Sequence, residues 1–475
     1  MNRSGVPGES QGGAGLATDL YQLTMAAGYH HHEMAGVRAS FHLFFRRAPF
    51  GGGFAIAAGL AEGLRRLGGL SFDAEEIGFL ASLEASDGSH LFAADFLERL
   101  RGLRPALDVD AVPEGTVVFP MEPILRVTGD LVACQLVETM LLSIVGYQTL
   151  VATKAARIKR VAGDRPVLEF GFRRAHGPEA ALAASRAAFI GGADATSNVL
   201  AGRLYDIPVR GTHAHSWVMA FGDERRAFEA YAEAMPGGVT FLVDTYGTEA
   251  GIENAIIVAE KMRAEGRTLR AIRLDSGDLA RLSRLARARL DAAGLEDVRI
   301  VASNDLDEHT IAALLACGAP IDAFGVGTRL VTGGDQPALG AVYKLGAIEE
   351  DGGWSPRMKL TSDLGKASLP GRVGIARHYD GDGYPTHDVL YDVDAPPAET
   401  GDSKSLLESV MREGALVAEL PSPTEARARA LAGVGSLPAE VARLACPLRY
   451  SVELDERLAL LRERLSGAAH RAKAS

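Results

Sequence analysis

A chain of 475 residues, 47% of them hydrophobic, has material for large buried cores, and at roughly 150 residues per domain it predicts about two to four domains. The net charge of −11 at pH 7 argues against nucleic acid or an anionic membrane as the main partner. Three widely spaced cysteines, Cys134, Cys317 and Cys446, support neither a disulfide framework nor a zinc site and point to a reducing, cytoplasmic setting.

In chain order, the Gly-rich residues 1–16 read as a disordered tail without the apolar core of a signal peptide. A helix is expected from about Asp19, capped by Thr18, with Leu20, Leu23 and Ala27 on one face. Residues 40–45 alternate Phe41, Leu43 and Phe45 against His42 and Phe44, the pattern of a strand. After the loop 49–53, Ile56, Leu60, Leu64 and Leu67 space an amphipathic helix. Strands over 106–112 and 123–129 then complete an α+β domain spanning 17–130.

Residues 133–162 read as one or two helices, and the apolar stretch 139–153 is too short to span a bilayer. Short apolar strands follow at 167–174, 240–248, 272–278, 300–305 and 321–328, each ending in polar residues. The later ones start roughly 25–30 residues apart, the length of one strand, one helix and two loops, which implies parallel βα units. This places a βα-barrel domain over 131–345, with Pro178 opening a helix, Gly266 and Gly294 ending helices and Asp307 capping one. Beyond 346 the beat breaks into Gly/Asp-rich hairpins, expected to complete the first domain as far as about 440. Residues 441–475 read as a helical segment with Leu454, Leu458, Leu461 and Leu465 on one face.

Parallel βα folds carry their chemistry at the carboxyl ends of the strands. Those ends supply Arg173, Asp244, Asp275, Asp278, Asn304 and the loop Gly325-Val-Gly327-Thr328, a set suited to a charged, phosphate-bearing substrate. In GTHAHS at 211–216, following a short strand at 207–210, His213 and His215 admit three readings: a His-x-His metal pair, one catalytic or phosphoryl-accepting histidine, or histidines that only hydrogen-bond at a strand end. In Arg273-Leu-Asp-Ser-Gly-Asp278, Gly277 allows a tight turn. Its two carboxylates suit ribose hydroxyls or Mg²⁺ held through water, while Asp278 is equally an ordinary helix cap. Phe170 beside Arg173 and Arg174 offers a stacking face and a carboxylate clamp, or a core aromatic with two surface arginines. His30, His31 and His32 read as a frayed helix end.

Taken together, TDLYQLTM at 18–25, FGFRRAHGP at 170–178, SNVLAG at 197–202, GTHAHS at 211–216, DTYGT at 244–248, RLDSGD at 273–278, SNDLDE at 303–308, GVGT at 325–328 and YKL at 343–345 resemble nicotinate phosphoribosyltransferase, of the type II phosphoribosyltransferase family, over most of the chain. The resemblance implies an α/β fold: an irregular parallel βα barrel plus an α+β open-faced sandwich built from the N-terminal and post-barrel segments. It implies that nicotinate and phosphoribosyl pyrophosphate become nicotinate mononucleotide and pyrophosphate, in NAD biosynthesis, with Mg²⁺ present and ATP hydrolysis coupled to transfer. His215 matches the histidine that ATP phosphorylates, and His213 has no catalytic part. Phe170, with Tyr21 from the other subunit of a homodimer, would sandwich the pyridine ring, and Arg173 would hold its carboxylate. Arg273 and Asp275 would serve catalysis at the ribose phosphate, and Gly325, Gly327 and Thr328 would cradle the 5′-phosphate. Thr212, Ser216, Asp278 and Asn304 complete the expected substrate-binding set; no metal ligand is assigned.

The chemistry fits such residues. Displacing pyrophosphate at the anomeric carbon develops positive charge on the sugar and negative charge on the leaving group, so carboxylates, arginine and Mg²⁺ serve it better than a strong base. Histidine, with an ordinary pKa of about 6.5, can accept a phosphoryl group at neutral pH. Nicotinamide phosphoribosyltransferase is the near alternative. The neutral Thr196, Ser197 and Asn198 near the expected pyridine pocket favour the anionic substrate. A quinolinate-specific relative is disfavoured, being shorter and independent of ATP. A non-catalytic pyridine-nucleotide sensor and a metal-dependent hydrolase are the readings from other classes.

Overall fold

The structure, a computed structural model, describes residues 15–235, 237–359, 368–397 and 401–474, side chains excepted at 467–474. The expected tail lies outside the described residues except for Gly15 and Leu16, and the Leu16 N–H donates to Glu76 Oε1. Two compact units emerge, one from Met1–Thr149, Ala338–Pro421 and Gly435–Ser475, the other from Leu150–Pro337 and Ser422–Val434.

The first unit is built on a seven-stranded antiparallel sheet. Its order is Gly353–Pro356, Ala341–Glu350, Arg38–Phe45, Leu125–Asp130, Asp108–Ala111, Glu408–Arg412, Ala415–Leu416. N-terminal and post-barrel segments are thus interleaved in one sheet. Arg38–Phe45 does not keep the one-sided alternation expected of it: every residue after Arg38 is buried. His42, on the supposed outer face, instead accepts the Val373 N–H at 3.0 Å through Nε2. Burial, with Arg126 nearby, pushes its pKa down to about 3. Tyr343 of the YKL segment is likewise core, stacking on Phe41 at 4.9 Å and donating to the Cys134 carbonyl.

Four local expectations fail in this unit. The helix Leu20–His31 is capped at Asp19, while Thr18 donates to the Leu136 carbonyl. Its inner face carries Gln22, Leu23 and Ala26, because Gln22 finds Thr139 Oγ1 at 3.2 Å, and Leu20 is left 53% exposed. Ile56 belongs to the strand Ala55–Ile56, ahead of the helix Leu60–Gly68. The C-terminal segment is not wholly helical either. Ser451–Leu454 is a strand lying parallel to Pro385–Asp392 in a four-stranded sheet, and only then does the helix Glu456–Ala474 begin.

The second unit carries the predicted βα series. Its strands are β1 (Val167–Glu169), β2 (Ala195–Thr196), β3 (Val239–Leu242), β4 (Leu269–Leu274), β5 (Arg299–Ala302) and β6 (Ala323–Val326). All pairs are parallel, in the order β2-β1-β6-β5-β4-β3. The sheet is a half-barrel, not a closed one, because β2 and β3 are its unpaired ends. Between them the chain is spent on the helices Val199–Tyr205, His215–Phe221 and Glu224–Ala234. The strand expected at 207–210 shrinks to a single bridge between Thr196 and Val209. Pro178 does open the helix Pro178–Ile190, and Asp307 caps Glu308–Ala316 by accepting the Thr310 N–H. The helix Pro423–Gly435, which the sequence reading left with the other domain, belongs to this unit through Arg427, 2.7 Å from Asp194 and over the Phe189 ring.

Glu308 is the unit's buried counter-charge, 2.6 Å from Lys154 Nζ and 2.8 Å from Arg157 Nε. Burial alone would raise its pKa, but the two cations outweigh it and hold the carboxyl below its ordinary value. We expect Glu308→Ala to cost about 3–5 kcal/mol by removing the charge shared by two buried cations, read as a lower denaturation midpoint. A depressed folded-state pKa contributes stability above the unfolded value and loses it as pH falls through the folded one. The gap between wild type and Glu308→Gln therefore narrows only on the acid side.

Candidate active site

The carboxyl ends of β1, β4, β5 and β6 open into a cavity of 570 Å³. Phe170, Arg173, Thr212, His215, Arg273, Asp275, Asn304, Gly325, Gly327 and Thr328 all line it. Ten of the expected site residues, far apart in sequence, therefore meet in one place. Ser216 and Asp278 are not among the lining residues. Ser216 lies in the first turn of the helix His215–Phe221, and the Asp278 carboxylate accepts the Arg281 N–H as a helix cap. Tyr21 lies on a helix of the other unit, 48% exposed, its hydroxyl accepting from Gln22 Nε2.

Arg273, at the end of β4, organises the wall. Its Nε donates to Ser303 Oγ at 2.8 Å, Nη1 to Thr212 Oγ1 at 3.1 Å and Nη2 to Asp275 Oδ1 at 2.9 Å. Its Cζ sits 5.3 Å from the Phe170 ring centroid, a cation–π contact. Three donors in a planar fork thus tie together three loops, a task a lysine point charge cannot copy. Gly325 leaves space for the ring: a Cβ there would come within 2.7 Å of Phe170 Cδ2. Asn304 and Asp305 take left-handed backbone angles, φ 103° and 45°, a region that Asn and Asp enter more readily than most side chains.

The two histidines of GTHAHS diverge. His213 is buried among Phe228, Tyr231 and Phe241 and accepts the Leu242 N–H through Nε2 at 3.2 Å. Burial lowers its pKa. His215 begins a helix with its side chain 41% exposed. Its Nδ1 lies 3.1 Å from Thr245 Oγ1, and Nε2 faces Asp275 Oδ2 at 3.9 Å and Asp244 Oδ1 at 4.0 Å. The strand that would have pointed both rings one way did not form, so the metal-pair reading loses its geometry. No group of three or more His, Cys, Asp or Glu among the described residues could hold a metal ion.

Beneath Phe170 lies a residue the sequence reading missed. Glu169 is buried and accepts from Ser185 Oγ at 2.9 Å, Thr196 Oγ1 at 2.5 Å and the Gly171 N–H. It thereby anchors the turn that presents Phe170 and Arg173. Thr196 and Asn198, expected near the pyridine pocket, are turned into this network, and of that trio only Ser197 lines the cavity. A charged residue inside an apolar strand was the available signal. We expect Glu169→Gln to raise the KM for the substrate that meets Phe170 about tenfold, because the NH₂ that replaces one carboxylate oxygen donates and cannot accept (one such loss is worth roughly 1–3 kcal/mol). Steady-state kinetics read it directly. Ser303 was also absent from the expected set, although it stands at a strand end.

Comparison with known proteins agrees with this geometry. The N-terminal domain of the nicotinate phosphoribosyltransferase family matches residues 16–146, the family's main region 166–365, and its C-terminal domain 398–462. The nicotinate phosphoribosyltransferase of Bacillus subtilis is 44% identical over 466 residues, covering 93% of each chain. The human one is 38% identical over 521 residues, covering 94% of this chain and 95% of its own. The crystal structure of human nicotinic acid phosphoribosyltransferase superposes with a TM-score of 0.81 at 36% identity, covering 94% of this chain and 99% of that one. A cavity walled by Arg273, Asp275 and His215, on a half-barrel matched along nearly its whole length, establishes that this chain belongs to the nicotinate phosphoribosyltransferase family.

Proposed function

We propose that the cavity joins nicotinate to phosphoribosyl pyrophosphate, giving nicotinate mononucleotide and pyrophosphate in a cytoplasmic enzyme of NAD biosynthesis, and that ATP drives the transfer through a phosphate on His215. The observation that carries the reading is the wall on which Arg273 joins Phe170, Thr212, Ser303 and Asp275 beside an exposed His215. Arg173 and Arg174 both line the cavity with no side-chain partner among the described residues, which supports an anionic pyridine over a neutral amide. Phe170 takes one face of the ring, and the pyridine nitrogen attacks the anomeric carbon without a base. Asp275 offsets the positive charge that grows on the sugar. Gly325, Gly327 and Thr328 offer backbone N–H groups to the 5′-phosphate.

The hard oxygens at this end of the half-barrel suit Mg²⁺, which usually takes one or two carboxylates and otherwise substrate phosphates. Asp275 is the candidate ligand, and the ion would neutralise charge on the departing pyrophosphate. Asp244 Oδ1, buried without a hydrogen-bond partner, is a further oxygen 4.0 Å from His215 Nε2. The active form is a homodimer in which Tyr21 of the partner subunit covers the pyridine; the exposed Leu20, Tyr21 and Met25 on one helix support this. Among the described residues no helix is long and apolar enough to cross a membrane.

The test is a steady-state assay with phosphoribosyl pyrophosphate, Mg²⁺ and ATP, comparing nicotinate with nicotinamide and following mononucleotide and ADP. Mononucleotide and ADP formed together with nicotinate support the reading. Turnover of nicotinamide instead overturns the part given to Arg173, and no product with either pyridine overturns the function.

A further inference from the structure

Arg273, Ser303 and Asp275 close a ring of hydrogen bonds. Arg273 Nε donates to Ser303 Oγ at 2.8 Å, Arg273 Nη2 donates to Asp275 Oδ1 at 2.9 Å, and Ser303 Oγ lies 2.5 Å from that same Oδ1. The hydroxyl has one proton and two acceptors in reach, Oδ1 and the Leu274 carbonyl at 3.3 Å. The proton goes to the carboxylate, which is nearer and charged, at a length usual for an O–H···O⁻ contact. Asp275 Oδ1 thus takes two donors. Its Oδ2 accepts no hydrogen bond among the described residues and stands 3.9 Å from His215 Nε2. Asp275 lines the cavity, so this ring decides which of its oxygens is offered there.

Ser303 is itself held from two sides. Its N–H donates to the Leu274 carbonyl at 2.9 Å, which carries the pairing of β5 with β4 one residue beyond Ala302. From β6, a Cβ on Gly325 would come within 3.3 Å of Ser303 Cβ. The hydroxyl is therefore placed by the sheet before any substrate arrives, and a group fixed in advance costs no reorganisation when charge develops. Without it, Arg273 Nη2 alone would hold the carboxylate. One donor at one oxygen leaves that group free to turn about its Cβ–Cγ bond, a torsion with broad wells.

We propose that Ser303 is a positioning residue for the transfer: its hydroxyl fixes the Asp275 carboxylate so that Oδ2 faces the reacting sugar while Oδ1 stays bound to Arg273. The inference rests on the reading above in which Asp275 offsets positive charge on the ribose. In that step the pyridine nitrogen's lone pair forms a bond to the anomeric carbon. The bond from that carbon to the pyrophosphate oxygen breaks, and its electron pair leaves with the pyrophosphate. No proton moves, and the Ser303 proton stays on its own oxygen. Positive charge on the sugar peaks between bond breaking and bond making. An oxygen aimed at it therefore acts on the transition state and not on the bound substrates.

The test uses the full chain with nicotinate, phosphoribosyl pyrophosphate, Mg²⁺ and ATP. Wild type, Ser303→Ala, Asp275→Asn and the double variant are compared in single turnovers, with enzyme in excess so that slow rates stay measurable. Calorimetry gives the Kd of each for phosphoribosyl pyrophosphate with Mg²⁺. Ser303→Ala should slow mononucleotide formation roughly 10–100-fold, the range for one hydrogen bond to a charged group. Its Kd for phosphoribosyl pyrophosphate and KM for nicotinate should stay within about threefold of wild type, the pattern of an interaction made only in the transition state. In the Asp275→Asn background the same substitution should cost less than about threefold, because the group it acts through is already altered. An equal fold-loss in both backgrounds overturns the inference, since Ser303 would then act without Asp275. So does a Kd that rises as far as the rate falls, the mark of a site that has merely loosened, and so does a Ser303→Ala enzyme with the wild-type rate. Each of these outcomes leaves the transferase reading standing. Absence of mononucleotide from wild type overturns that reading and the inference with it.

Discussion

His215→Ala should abolish ATP stimulation: its rate with ATP is expected to equal its rate without, with no acid-labile phosphate accumulating on the protein. A phosphoryl group on this ring brings roughly two negative charges to a position whose Nε2 already lies 3.9 Å from Asp275 and 4.0 Å from Asp244. Like charges at about 4 Å repel by about 4 kcal/mol at an effective dielectric of 20. On the ATP-coupled reading proposed above, the acids and the pyrophosphate contacts would have to rearrange when His215 is modified. That rearrangement would be the physical link between ATP hydrolysis and product formation. Initial rates with and without ATP, at fixed nicotinate, read the effect. A variant that kept full ATP stimulation would falsify the assignment of His215.

Arg273→Ala lowers kcat/KM by roughly 10²–10³-fold, the cost of deleting one preorganised charged donor from a site that stabilises developing charge. The substitution removes four contacts at once, to Ser303, Thr212, Asp275 and the Phe170 ring. Both the pyridine face and the ribose wall are therefore loosened. Arg273→Lys should recover little, because an ammonium cannot satisfy three separated acceptors in one plane. Kinetics with nicotinate and phosphoribosyl pyrophosphate varied separately should show both KM values rising along with the loss in kcat. A rise confined to phosphoribosyl pyrophosphate would mean that the Phe170 contact contributes nothing to pyridine binding.

The βα series was legible because its signals are local. An apolar run ending in polar residues marks a strand buried on both faces, and the helix between two such runs has its own cap and stop. Pro178 and Asp307 read correctly for that reason. Ten of the site residues met in one cavity because strand carboxyl ends share one side of a parallel sheet, so a position along each strand already implies a position in space. Ser216 and Asp278 lie outside the cavity lining, because a motif supplies residues without saying which side chains turn toward the cavity.

What the sequence by itself determined was the alternation of elements, the chemical type of the site and the family. Only the tertiary structure decided which side chains share an environment. Gln22 lies inside the first helix because Thr139, far along the chain, offers it a partner, and Leu20 faces outward in consequence. The barrel stays open because the segment between β2 and β3 folds as helices. His213 and His215, two residues apart, separate into a core aromatic cluster and a half-exposed position because a helix begins between them. Glu169 and Ser303 make their hydrogen bonds to partners 16 to 30 residues away. Periodicity and capping are fixed by neighbours along the chain, whereas hydrogen-bond partners across loops exist only once the sheet has brought the strand ends together.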